Sequence, residues 1–126
     1  MAGDGTFSNA THGVVVELDP GTGGVDILRY VCVEDCGVAI HPQIVEGQCR
    51  GGIAQGIAGA LFEQVTYDDA GQPLAPSLME YKVPTAAEIP DIAIHHLETP
   101  CTFTANGAKA RGRAAPSARP PPCSTR

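Results

Sequence analysis

Residues 13–33 read Gly-Val-Val-Val-Glu-Leu-Asp-Pro-Gly-Thr-Gly-Gly-Val-Asp-Ile-Leu-Arg-Tyr-Val-Cys-Val, and this stretch decides the fold. Two runs rich in β-branched residues, Gly13 to Asp19 and Val25 to Val33, flank a cluster of Asp, Pro, Thr and Gly with the chemistry of a turn. The pattern predicts a β-hairpin. In its second strand Val25, Ile27, Arg29, Val31 and Val33 alternate with Asp26, Leu28, Tyr30 and Cys32. Apolar groups therefore fall on both faces, and both faces are expected to be covered.

Beyond the hairpin, His41-Pro42 opens a segment in which Ile53, Ile57 and Leu61 recur at the spacing of one helical face, predicting a helix over residues 43–64. That helix carries Gly47, Gly51, Gly52, Gly56 and Gly59. An interior glycine costs roughly 1 kcal/mol relative to alanine, so about 5 kcal/mol has to be recovered by close packing against it. Small residues admit either a second backbone or a ligand. Val65-Thr-Tyr67 reads as a short strand leaving the helix and Ile92 to Glu98 as another, with Pro73, Pro76, Pro84 and Pro90 marking extended chain and loops. Ser77 to Val83 fits neither period. The expected fold class is α+β, a β-hairpin and further short strands packed around one glycine-rich helix.

A chain of 126 residues is one domain at most, and with no Trp, three Phe and three Tyr it has few large anchors for a core. Its charge is divided unevenly. All fourteen acids precede Ala105, where only Arg29, Arg50 and Lys82 oppose them, so that body carries 3 − 14 = −11. Lys109, Arg111, Arg113, Arg119 and Arg126 fall in an acid-free tail. Phosphate backbones and anionic lipid surfaces repel such a body, so neither nucleic acid nor membrane is an expected partner. The longest apolar stretch, Ile53 to Phe62, is too short to span a bilayer. Five cysteines, an odd number, and no apolar run after Met1 point to a reduced, cytoplasmic setting. Residues 110–126 lack periodicity and large apolar groups and are expected to be disordered.

Few residues have spacings that announce chemistry. Cys32 and Cys36 lack a second pair at zinc-site distance, and adjacent His95 and His96 on a strand point to opposite faces, so no protein-ligated metal is expected. Cys36 before Gly37 reads as packed in a tight turn. The string Gly51-Gly-Ile-Ala-Gln-Gly56 lies inside the helix, whereas phosphate loops precede one. The carboxylates read mainly as solvated surface. What stands out is Gln43, Gln48, Gln55 and Gln64 among glycines. A side-chain amide offers donor and acceptor together, which suits a polar heterocycle such as a pterin, and glycines leave room for its bulk. Surface glutamines on a packing helix are the plainer reading of the same residues.

The order of these pieces resembles the molybdopterin-binding large subunits of the xanthine, aldehyde and carbon monoxide dehydrogenase family. The resemblance rests on Val16-Glu-Leu-Asp-Pro20, Arg29-Tyr-Val with Asp35-Cys-Gly37, His41-Pro42, Val45-Glu-Gly-Gln48 and Gly51-Gly-Ile-Ala-Gln-Gly-Ile57. Tyr81-Lys-Val-Pro-Thr85, Ile89-Pro-Asp-Ile92 and Asn106-Gly-Ala-Lys109 continue it, covering roughly residues 7–109 in the C-terminal portion of such a subunit. It implies that residues 1–109 are part of a molybdopterin-binding domain, with Gln48 hydrogen-bonded to the cofactor and Gln55 a weaker candidate. It also implies iron–sulfur and FAD partners beside the remainder of the large subunit, and oxidation of aldehydes, N-heterocycles or carbon monoxide.

One departure bears on activity. The family continues after Gly-Ala-Lys with Gly-Val-Gly-Glu-Gly-Gly, and Arg113 stands where it has the glutamate that serves as general base. A guanidinium stays protonated at any working pH and cannot take a proton, so no catalytic residue is assigned and the chain alone is expected to be inactive, without cofactor. A frameshift at position 113 is the expected origin of the tail. A family-like continuation, Gly-Glu-Gly-Gly-Thr-Ile-Gly-Pro-Pro-Ala-Ala-Val-Leu-Asn-Ala, written in GC-rich codons and read after loss of one G from the glutamate codon, yields Gly112 to Arg126 residue for residue. A different class of function also fits the composition: a small acidic interaction module whose basic, Pro-rich tail binds an anionic partner.

Overall fold

The computed structural model describes residues 6–109; the tail, with Arg113, lies outside the described residues. Strand β1 (Asn9–Leu18) and strand β2 (Val25–Asp35) form the hairpin, longer at its open end than the β-branched runs alone. Asp19 builds the turn. Its carboxylate accepts from the Gly21 amide at 2.8 Å and the Thr22 hydroxyl at 2.7 Å, while Gly23 takes the left-handed conformation at φ 73°.

The alternation predicted for β2 is broken by a bulge. Arg29 lies opposite Val15 and Ile27 opposite Val16, leaving Leu28 without a partner. The extra residue turns Ile27 to the same side as Tyr30, where it packs against the core, instead of the side shared with Val31. An irregularity of one residue has no signature where apolar side chains fall on both faces of the strand.

Helix α1 (Pro42–Leu61) follows, and strand β3 (Ile92–Leu97) then returns to lie parallel to β2, from Tyr30 beside Ile92 to Asp35 beside Leu97. Sheet order is β1-β2-β3. The helix is the crossover that a parallel pair requires, so β2, α1 and β3 make a βαβ unit with a hairpin arm, and the class is α+β as the sequence predicts. The core is where α1 meets the sheet, with Tyr30, Cys32, Cys49, Ile53, Ile57 and Ile92 buried together. The helix stops short of Gln64 because the amides of Phe62 and Glu63 both turn back to the Ala58 carbonyl, letting Phe62 fold onto the core. Val65 to Tyr67 is not a strand: Tyr67 makes a single bridge to Pro73, which closes the Asp68–Gln72 turn.

One expectation about burial is overturned: among the described residues only one face of the sheet is covered. On the other, Val15 and Leu97 are each 55% exposed, Val31 and Val33 are half-buried, and none of the described helices or strands lies over them. The carboxylates are mainly exposed, as the sequence predicts, with two exceptions. Glu34 and Asp35 are buried at the end of β2, paired with His96 at 3.0 Å and Lys109 at 2.8 Å.

Candidate functional site

Helix α1 starts where His41 caps it, its imidazole Nδ1 accepting from the Ile44 amide at 3.4 Å, with Pro42 in the first turn, where a missing N–H costs nothing. From there the helix divides into two sides. Cys49, Ile53 and Ile57 pack into the core with the sheet's Tyr30, Cys32 and Ile92, and Gly52 and Ala58 are also buried. Gly47, Gln48, Gly51 and Gln55 line an open depression of about 340 Å³ on the other side, with Gly52 at its floor.

Of the two readings the sequence leaves for the glycines, a second backbone is not supplied by the described chain at Gly47, Gly51 and Gly59, which have nothing within 4 Å of where a Cβ would stand. Gly52, by contrast, is buried. The outward glycines thus keep a strip of helix backbone bare between two glutamine side chains. Both predicted site residues, Gln48 and Gln55, stand on this strip one helical face apart and exposed, whereas Gln43 and Gln64 lie outside it. Arg50 flanks it, held by Glu46 one turn back at 2.9 Å and by Asp91 at 3.8 Å.

A second constellation, next to the helix cap, was illegible from the residue types. The Asp35 carboxylate pairs with Lys109 and accepts from the Gly37 amide at 2.9 Å and the Thr99 amide at 3.3 Å. Lys109 first, then the Gly37 amide, holds this carboxyl well below the usual carboxylate range. Backbone bonds from Lys109 to Cys36 (2.9 Å) and from Val38 to Gly107 (3.1 Å) join the same two segments. Gly37 and Gly107 both have positive φ, and a Cβ on Gly37 would lie 2.4 Å from the Gly107 carbonyl oxygen. Cys36 is buried in this turn, as expected. The clamp fixes the chain at Lys109 beside Val38, Ile40 and His41, which with Ala108 line a small apolar recess at the helix start. Grouping Lys109 with the tail's cations concealed this; the signal available was Gly in both segments, Asp-Cys-Gly and Asn-Gly-Ala-Lys.

Among the described residues no three His, Cys, Asp or Glu side chains converge on a common point. Cys32 and Cys49 touch in the core at 3.6 Å with no disulfide between them. Burial, with the neighbouring Cys32 and Glu34, pushes the Cys49 thiol up to about 12, which leaves it unreactive.

The bare helical strip flanked by Gln48 and Gln55 thus stands on a hairpin and βαβ scaffold. Residues 2–90 match the model of the molybdopterin cofactor-binding domain, and the chain belongs to that family. It is a stretch of a molybdenum hydroxylase large subunit. It is 51% identical over 106 residues to the nicotine 6-hydroxylase large subunit of Paenarthrobacter nicotinovorans, covering 84% of this chain and 13% of that protein. Identity to the carbon monoxide dehydrogenase large chain of Hydrogenophaga pseudoflava is 40% over 104 residues, 82% of this chain and 13% of the relative. The crystal structure of quinoline 2-oxidoreductase from Pseudomonas putida 86 superposes with a TM-score of 0.79 at 47% identity, covering 85% of this chain and 14% of that one. The chain therefore spans only about an eighth of the relatives it matches.

Proposed function

We propose that this chain forms one wall of a molybdopterin site in a cytoplasmic molybdenum hydroxylase, with Gln48 and Gln55 hydrogen-bonding the cofactor. The observation that carries this reading is the open strip on α1, where Gly47 and Gly51 leave room that any Cβ would reduce and two exposed amides offer donors and acceptors. Its volume of about 340 Å³ is at the low end for a small-molecule site, as expected for one wall of a pocket whose other walls lie elsewhere. When bound, the cofactor supplies the oxidation of an aldehyde, an N-heterocycle or carbon monoxide. Relatives named for nicotine and quinoline, both N-heterocycles, support the second class.

The chain's own residues bind and orient. Gln48 and Gln55 hold polar edges of the cofactor, and the helix backbone between them shapes the surface it lies on. Arg113, at the position of the family's glutamate, carries a permanent charge and cannot accept a proton, so this polypeptide does not supply the base. Residues 1–109 are on this reading the C-terminal segment of the domain, completed by the rest of the large subunit with its iron–sulfur and FAD partners. Residues 110–126 are a segment read out of frame from position 113. Alone, the chain holds no cofactor and turns nothing over.

The test is to co-produce the full chain with the nicotine 6-hydroxylase large subunit from which the matching segment has been deleted, then measure molybdenum and pterin per complex. Gln48→Ala is expected to lower retention about tenfold, the worth of one polar contact, with little change in assembly. Unchanged molybdenum content in Gln48→Ala and Gln55→Ala complexes would remove both residues from the site. Hydroxylated product from the complex carrying Arg113 would overturn the reading of that position.

A further inference from the structure

The face of the sheet turned away from α1 has the makings of a contact surface. Cross-strand partners share a face, so the register places Val15 with Arg29, Gly13 with Val31 and Thr11 with Val33, and β3 adds Ala93 beside Val31 and His95 beside Val33. At one end of this face Glu17 stands directly opposite Asp26. Like charges facing across a ladder destabilise it, and among the described residues neither carboxylate has an ion-pair partner. The same side ends in β1, an edge strand of ten residues, Asn-Ala-Thr-His-Gly-Val-Val-Val-Glu-Leu, with neither proline nor lysine to discourage pairing.

We infer that this face, with the outer edge of β1, is the surface on which the rest of the large subunit docks. The occupant presents an apolar patch to Val15, Val31 and Leu97, a cation to the Glu17–Asp26 end, and a strand to β1. The choice of occupant follows from length: the chain covers 13% of the large subunits it matches, so most of such a subunit lies outside it. This inference rests on the proposed function but concerns a different surface from the Gln48 strip.

The experiment uses the same full chain and the nicotine 6-hydroxylase large subunit lacking the matching segment. Expected are a one-to-one complex, a loss of capture of about tenfold or more for Val31→Lys, which would bury an unpaired charge, and a smaller loss for Glu17→Lys. Circular dichroism on Val31→Lys separates lost docking from lost fold. Hydrogen exchange on the unsubstituted chain gives a second readout, with β1 amides slowing on complex formation. Capture of folded Val31→Lys equal to wild type, or β1 amides that exchange as fast bound as free, would overturn the assignment. So would light scattering showing a dimer of the chain alone that Val31→Lys dissociates, since the face would then belong to a second copy. A complex that forms yet holds no molybdopterin would sink the proposed function and leave the docking surface standing.

Discussion

Glycine has two opposite meanings in this chain, and substitution by alanine separates them. Gly37 needs a positive φ and faces the Gly107 carbonyl, so Gly37→Ala is expected to cost about 3 kcal/mol through backbone strain and overlap together. Gly51 lies in a helix with empty space where its Cβ would be, so Gly51→Ala is expected to stabilise the chain by about 1 kcal/mol while encroaching on the proposed cofactor surface. Urea unfolding of the two variants checks both signs. Asp35 gives the pH dependence. Its carboxyl is lowered in the folded state, so its contribution is complete above the unfolded value of about 4 and shrinks as pH falls below that toward the folded one. The stability difference between wild type and Asp35→Asn should therefore be flat from neutral pH down to about 4 and close under stronger acid. A gap that widens below pH 4 would contradict the Asp35–Lys109 pair. The sequence marked the glycines and glutamines as unusual, but an acid and a lysine so far apart in the chain cannot be paired from residue types.

At the scale of elements, the hairpin, the helix and β3 were legible because each depends on local chemistry: β-branched runs around an Asp-Gly turn, apolar residues at helical spacing, and a short alternating run. Boundaries shifted by a few residues, which is what capping decides; His41 and Pro42 set the start and Phe62 the end. Partnerships were not legible. That β3 lies parallel to β2 depends on the helix crossing the sheet, and the bulge at Leu28 on a neighbouring strand. Ile53 ties these elements together, fully buried between α1 and β2. Ile53→Ala is expected to cost about 2–5 kcal/mol, a large share of the about 5–15 kcal/mol that a small domain has in total. A urea unfolding midpoint lowered to match would show it.

At the scale of the molecule, the scarcity of large anchors noted in the sequence becomes, among the described residues, a core cluster of six buried side chains beneath a broad apolar exterior. Phe7, Ile40, Leu78 and Met79 are each at least 70% exposed, well beyond the scattered hydrophobics of an ordinary monomer. The isolated chain should bind a hydrophobic dye and form heterogeneous aggregates rather than a defined dimer, and capture by the rest of the subunit should suppress both. A clear, dye-free monomer at high concentration would argue that the chain is self-sufficient. No described helix is long and apolar enough to cross a membrane, so this exterior is not accounted for by a spanning helix.

The parallel pairing of β2 with β3 also sets a timetable. The hairpin can close as soon as it leaves the ribosome, but residues 36–91 must be translated before β3 exists. At about 5–20 residues per second that is a delay of several seconds, during which the inner rim of β2 stands open next to unburied Tyr30 and Cys32. A nascent polypeptide in that condition is a natural client for chaperones, and synthesis rather than chemistry is where it is most vulnerable.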